Sequence, residues 1–197
     1  MYSALKVIFV LLLFYTISFG QTDSAIFLQS YEFNAVDGGT FYESVVDDFT
    51  PAFTGLIGSV VLYQCFDTAQ PTSIYLEITK DIGDNNPNTA TRIFANSEDA
   101  SYVSTGDSIN SLEIFEVTCN FSLPVFVQVG NLYWLEVGLV FNSFAVYQEP
   151  VVFGSQMWYF QGGQYHSFSE SRDSFFDLLT PVALERNSWA AIKNSFN

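Results

Sequence analysis

The sequence predicts an all-β domain of about ten to twelve short antiparallel strands, stacked as a sandwich or closed as a barrel. Three observations carry that prediction. Hydrophobic residues recur with a period of two rather than 3.6, as in "SIYLEITK", where Ile74, Leu76 and Ile78 alternate with Tyr75, Glu77 and Thr79. The apolar runs are rich in β-branched and aromatic residues. Clusters of Gly, Pro, Asn, Asp and Ser separate them at intervals of roughly 8–12 residues.

Before the domain stands a segment of another kind. "MYSALKVIFVLLLFYTISFGQ" has a short basic start at Lys6, an apolar run from Val7 to Phe19, and small residues at Ser18 and Gly20. This is the pattern of an export signal cleaved before Gln21. The run is too short for a bilayer span, which needs roughly 20 residues. The domain is expected over 21–183, with a C-terminal tail or short helix at 184–197, and the mature protein is expected to be secreted and extracellular.

In chain order, "AIFLQSYEF" (25–33) reads as the first strand and "VDGGT" (36–40) as a turn. "VVDDF" (45–49) reads as a strand carrying a doubled charge, and "IGSVVLYQCF" (57–66) and "SIYLEITK" (73–80) as the next two strands. "DIGDNNPNT" (81–89) and "STGDS" (104–108) read as turns. "SLEIFEVTCNF" (111–121), "PVFVQV" (124–129) and "NLYWLEVGLVF" (131–141) supply later strands, with a turn at "VGN" (129–131). "FQGGQ" (160–164) reads as a further turn. An EF-hand counted from Asp84 fails, because Thr89 and Ala95 stand where Gly and Glu are needed.

The composition limits the partners. Six basic residues oppose 21 acidic ones, a net charge of −15, and removal of Lys6 takes it one unit lower. Nucleic acid is excluded, since phosphate binding requires Lys and Arg to release counterions. Stable membrane insertion is not expected either. With 49% hydrophobic and 18% aromatic residues the chain carries enough for a core. Two cysteines, Cys65 and Cys119, in an exported protein predict one disulfide worth about 4 kcal/mol in the entropic picture. Asn120-Phe121-Ser122 is a glycosylation sequon, giving Asn120 as the acceptor.

One succession of motifs resembles a group of secreted, largely uncharacterised domains. Asp47-Asp48-Phe49 is followed by "ITKDIGDNNPNT", then "GNLYWLEV" (130–137), then "QMWYFQGGQYHSF" (156–168), and finally Phe176-Asp177-Leu178-Leu179. That order is similar to a "DDF…GxYWLxV…DLxF" pattern over roughly residues 40–180. Asn-Asn-Pro-Asn stands where the group has glycines, and "FDLL" stands for "DLxF". The resemblance implies a jelly-roll-like antiparallel β-sandwich similar to carbohydrate-binding modules, and no particular activity.

Two candidate sites follow. Asp47 and Asp48 fall on opposite faces of one strand, and a buried carboxylate needs amide donors or a cation. Asp47 or Asp48, with Asp177 from the last strand, is therefore a candidate for structural Ca²⁺. Trp158, Tyr159, Tyr165, Gln161 and Gln164 mix aromatic faces with amides, the chemistry that grips sugar rings, and are the candidate glycan contacts. Trp158 and Phe160 share one face of their strand and Tyr159 takes the other, so Tyr159 and Tyr165 are the exposed pair if Trp158 is core. No catalytic motif is present. His166 is the single histidine, and nothing in the sequence marks a pair among the acidic residues. The expected function is non-catalytic binding of extracellular or surface glycan. The alternatives are self-assembly into a coat, matrix or filament, in which the partner is a copy of the chain, and, more weakly, a glycan-active hydrolase.

Overall fold

Alternation at 73–80 becomes a strand in the computed structural model, with Ile74, Leu76 and Ile78 fully buried. The structure describes residues 25–27, 35–38, 42–67, 69–139, 143–148, 157–168, 172–174 and 176–181. The expected export signal (1–20) and C-terminal segment (184–197) lie outside them. Ala25–Val182 cluster as one compact unit.

The described elements are strands, and every pairing between them is antiparallel. They are β1 (Ala25–Phe27), β2 (Ala35–Gly38), β3 (Ser44–Phe49), β4 (Gly55–Phe66), β5 (Ser73–Lys80), β6 (Thr91–Ile109) and β7 (Leu112–Val127). There follow β8 (Tyr133–Gly138), β9 (Ser143–Gln148), β10 (Trp158–Gln161), β11 (Gln164–Ser167), β12 (Asp173–Ser174) and β13 (Phe176–Leu179). Hydrogen bonding runs in the order β1-β13-β4-β7-β6-β5-β8-β3-β10-β11, and β9 joins β2 and β12 to β4.

β6 holds the two portions of this sheet together. Thr91–Asp99 pair with β5, and Ala100–Ile109 pair with β7. An irregularity between Ser104 and Ser108, with Gly106 at a φ of 81°, bends the second half. One core cluster draws on both portions: Phe49, Leu76 and Leu135 from one, Val60, Val117 and Phe176 from the other. Phe49 meets Phe176 edge-on at 6.0 Å between ring centres and stacks on Tyr133 at 5.5 Å.

Several boundaries differ from the sequence reading, each for a local reason. Residues 36–38, expected in a turn, form β2 against β9. The turn expected at 104–108 sits instead at Asn110-Ser111, whose φ angles of 52° and 67° make a tight two-residue hairpin between Ile109 and Leu112. The strands expected at 111–121 and 124–129 are one strand, β7. Pro124 falls in its irregular stretch, where β6 no longer pairs and no ladder donor is lost. The Gly162-Gly163 turn stands as expected, with both φ angles positive.

The expected Cys65–Cys119 disulfide does not form; both thiols are free and buried. Cys119 is the cross-strand partner of Val60, whereas Cys65 pairs with Ile114. Along β4 the five positions from Val60 to Cys65 span about 17 Å, against the roughly 7 Å limit for a bridge. An odd offset also places the two thiols on opposite faces. Cys119 joins the main core, and Cys65 a second cluster with Ile114 and Val146.

Candidate functional site

The face of β5 and β8 turned away from the core carries the most unusual chemistry. Leu76, Ile78, Leu135 and Val137 point inward, so Glu77 and Glu136 must point outward, and they are direct cross-strand partners. Like charges placed opposite one another destabilise a sheet. Both are also buried, 3% and 7% exposed. Hydrogen bonds offset the cost. Arg92 Nε donates to Glu77 Oε1 at 2.7 Å, and the Tyr75 hydroxyl donates to Glu77 Oε2. Ser44 Oγ donates to Glu136 Oε1 at 2.5 Å, and the Tyr165 hydroxyl to Glu136 Oε2 at 2.5 Å. Each of the four carboxylate oxygens therefore accepts a bond.

Burial raises the Glu136 carboxyl above the usual glutamate range, against the lowering effect of Ser44 and Tyr165. Burial, then its bond to Glu77, pushes Tyr75 up to about 12. Tyr165 is raised as well, first by burial and then by Glu136. Both phenols hold their protons at neutral pH and remain donors. The Arg92 guanidinium is raised by its bond to Glu77.

These side chains line a cavity of about 500 Å³, together with Glu43, Gly138, Leu139 and Phe160. That size is within the range of small-molecule sites, about 300–1,000 Å³. Gly138 is needed here, because a Cβ at this position would lie 2.9 Å from Tyr75 Cβ. Phe160 and Tyr165 are cross-strand partners with ring centres 5.0 Å apart.

β11 ends the strand order, two strands beyond β3, yet Tyr165 reaches Glu136 on β8. The β10–β11 hairpin therefore curls over the outer face. Asn88 pins it: Nδ2 donates to the Tyr165 carbonyl at 3.2 Å, and the Tyr165 N–H donates to Asn88 Oδ1 at 3.1 Å. This side-chain amide imitates a neighbouring strand. Asn86 Oδ1 accepts from the Asn88 N–H at 3.0 Å, and Asp81 accepts from Gly83 N–H at 2.6 Å, so the 81–89 turn is a bracket for the hairpin.

Of the five expected glycan contacts, only Tyr165 lines this cavity. Tyr159 packs against the main core, 4.4 Å from Tyr42 and 4.8 Å from Phe168 between ring centres, rather than facing outward beside Tyr165. Trp158 is half-buried on the outer face, 6.4 Å from the buried Trp134. Gln161 and Gln164 are exposed at the hairpin tip. Sequence reasoning missed Glu77, Glu136, Tyr75, Arg92 and Ser44. Glu77 and Glu136 each stand as a polar residue in a recognised strand, a signal that lacked only the register joining them.

Two of the aspartates in the expected calcium set, Asp47 and Asp48, take opposite faces of β3. Asp47, 1% exposed, shares its face with Val45 and Phe49 and turns inward. Its Oδ1 accepts from Asp48 N–H at 2.9 Å, and its Oδ2 from Ser174 N–H at 2.5 Å. The carboxyl meeting it is that of Asp173, buried on β12. Asp177 is half-buried on β13 between the inward Phe176 and Leu178. Asp48 faces the other way, opposite Trp134. Burial foremost, then the charge and hydrogen bond of Asp173, raise Asp47 well above the ordinary aspartate range. Among the described residues no group of three or more His, Cys, Asp or Glu is placed to hold a metal ion.

Asn120 is exposed on β7, and Ser122 of its sequon donates through Oγ to Glu98 at 2.8 Å. A second cavity, about 600 Å³, lies among Lys80, Asp81, Gly83, Gly130 and Asn131, and among the described residues no aromatic side chain lines it. Among the described residues no helix is long and apolar enough to cross a membrane. Comparison of the chain with protein-family models, curated proteins and solved structures finds no match.

Proposed function

We propose that this chain is a secreted β-sandwich of jelly-roll type that binds an extracellular or surface glycan in the cavity over Glu77 and Glu136. The sandwich reading is supported by the two sheet portions that share one core. It is supported too by the register of the motifs, since Asp47-Asp48-Phe49 pairs residue for residue with Leu135, Trp134 and Tyr133. The glycan reading rests on one observation: a cavity that sets aromatic rings from Tyr75, Phe160 and Tyr165 beside buried carboxylates and a guanidinium. Sugars present hydroxyls that donate to carboxylates, ring oxygens that accept from arginine, and apolar C–H faces that lie on aromatic rings.

The experiment is a glycan array followed by calorimetric titration of any oligosaccharide captured. Binding that weakens at least about tenfold in Tyr165→Phe, a loss of roughly 1.4 kcal/mol, supports the reading. Equal capture by wild type and variant, or no capture at all, overturns it.

Self-assembly has its own support in a different place. Leu56 and Phe126 face each other across β4 and β7 and are 44% and 55% exposed, with Val129 at 56% nearby. On this second reading that patch joins copies of the chain. Sedimentation then shows oligomers growing with concentration that Leu56→Ser with Phe126→Ser abolishes; a monomer at all concentrations refutes it.

A further inference from the structure

Glu77 and Glu136 form the pair of acids that the sequence alone did not mark. They stand directly opposite on adjacent antiparallel strands, on one face, at the floor of the aromatic-walled cavity. Directly opposed residues have Cβ atoms about 4.5–5.5 Å apart. Opposed on one face, the two side chains can bring their carboxyl groups together across the strands. Glycosidases that proceed through a covalent intermediate use a neighbouring pair of carboxyl groups about 5–5.5 Å apart. The surroundings of the two also differ in kind. Glu77 is the carboxylate of an ion pair with Arg92 at 2.7 Å. Glu136 instead receives hydroxyls from Ser44 and Tyr165, and the Arg92 charge acts on it only after burial and those two bonds.

We infer that this site cleaves a glycosidic bond of the glycan it binds, with Glu77 as nucleophile and Glu136 as proton donor and acceptor; the inference rests on the glycan reading above. In the first half-reaction a Glu77 carboxylate oxygen bonds to the anomeric carbon while the glycosidic C–O bond breaks. Glu136 gives its proton to the departing oxygen, so the leaving sugar is a neutral alcohol and Glu136 becomes a carboxylate. In the second half-reaction Glu136 takes a proton from water as the water oxygen bonds to the same carbon, and the ester bond to Glu77 breaks. One water is consumed, both glutamates return to their starting forms, and the new hemiacetal keeps the original configuration. The burial that raises Glu136 suits it to carry the proton that the first step requires. Tyr75 and Arg92 hold Glu77 in place through separate oxygens, and Tyr165 and Ser44 do the same for Glu136.

The test uses the secreted full chain and oligosaccharides of four to eight sugars: β-1,3- and β-1,4-glucans, xylans, mannans, galactans and chitin oligomers. Those captured on an array are incubated with wild type, Glu77→Gln and Glu136→Gln, each first checked for an unchanged circular-dichroism spectrum. New reducing ends are counted, and the anomer formed first is read by proton NMR. The expected result is cleavage by wild type with retained configuration. Glu77→Gln should still capture the sugar but release reducing ends at least about 100-fold more slowly, and Glu136→Gln should be slowed comparably. A captured oligosaccharide left intact by wild type overturns cleavage and leaves binding standing. Cleavage with inverted configuration, or equal rates in Glu77→Gln, overturns the roles given to the glutamates. Capture of none of the oligosaccharides overturns the glycan reading itself.

Discussion

Replacing Asp173 by asparagine probes the buried pair it forms with Asp47. Both carboxyls are 1% exposed, and Asp47 already accepts two backbone N–H bonds. Burial first, then Asp173, raises the Asp47 carboxyl, so the folded chain holds a proton there that the unfolded chain releases near its ordinary value of about 3.9. A raised acid stabilises the fold fully below that ordinary value, and the contribution is lost as pH rises through the folded value. Wherever the proton is held, wild-type stability falls by about 1.4 kcal/mol per pH unit. For a domain of this size that is roughly 3–6 °C of melting temperature per unit. The substituted side chain offers Asp47 an amide donor at every pH and removes the second acid, so the variant's profile is flatter. Urea unfolding of both proteins at half-unit intervals from pH 4 to 8 measures the difference, and the Glu136 contribution cancels in it. The variant is expected to be the more stable at pH 8 and to lose that lead toward pH 4. Parallel profiles would refute the shared proton.

Three further outcomes follow from the same geometry. Burial raises Cys65 to about 11 and Cys119 to about 12, so the folded protein should resist iodoacetamide and take two labels when denatured without reductant; a denatured protein that takes none would restore the disulfide. Gly58→Ala puts a Cβ 2.3 Å from Pro181 Cα, a backbone atom that cannot swing aside, and should cost at least about 1–3 kcal/mol in urea unfolding; an unchanged midpoint contradicts the close approach. Asn88→Ala removes both bonds to the Tyr165 backbone and should weaken glycan binding by about 1–2 kcal/mol, roughly 5–30-fold, although Asn88 does not line the cavity. Unaltered affinity would show that the hairpin holds without it.

The strands that bury one face were legible, and those that do not were hidden. Ser73–Lys80 could be read to the residue because Ile74, Leu76 and Ile78 alternate against polar neighbours. β6 left no such trace. Most of its 19 residues are exposed, and backbone pairing with β5 and β7 makes it a strand. The site was hidden for a related reason. Glu77 and Glu136 sit at the polar positions of recognised strands, but only the β5–β8 register, a contact between distant segments, sets them opposite each other. Tyr165 was chosen for its chemistry, and it lines the cavity because Asn88 anchors its backbone. The cysteines mislead in the same way: an even count and an expected export signal say nothing of which face each thiol takes.

The most direct test is to locate a captured oligosaccharide on the protein by NMR titration of the isotopically labelled chain. The account predicts saturable shifts concentrated at Ser44, Tyr75, Glu77, Glu136, Gly138 and Tyr165, the residues around the outer-face cavity. Shifts confined to Gln161–Gln164 at the hairpin tip, or to the cavity beside Lys80 and Asn131, would contradict it.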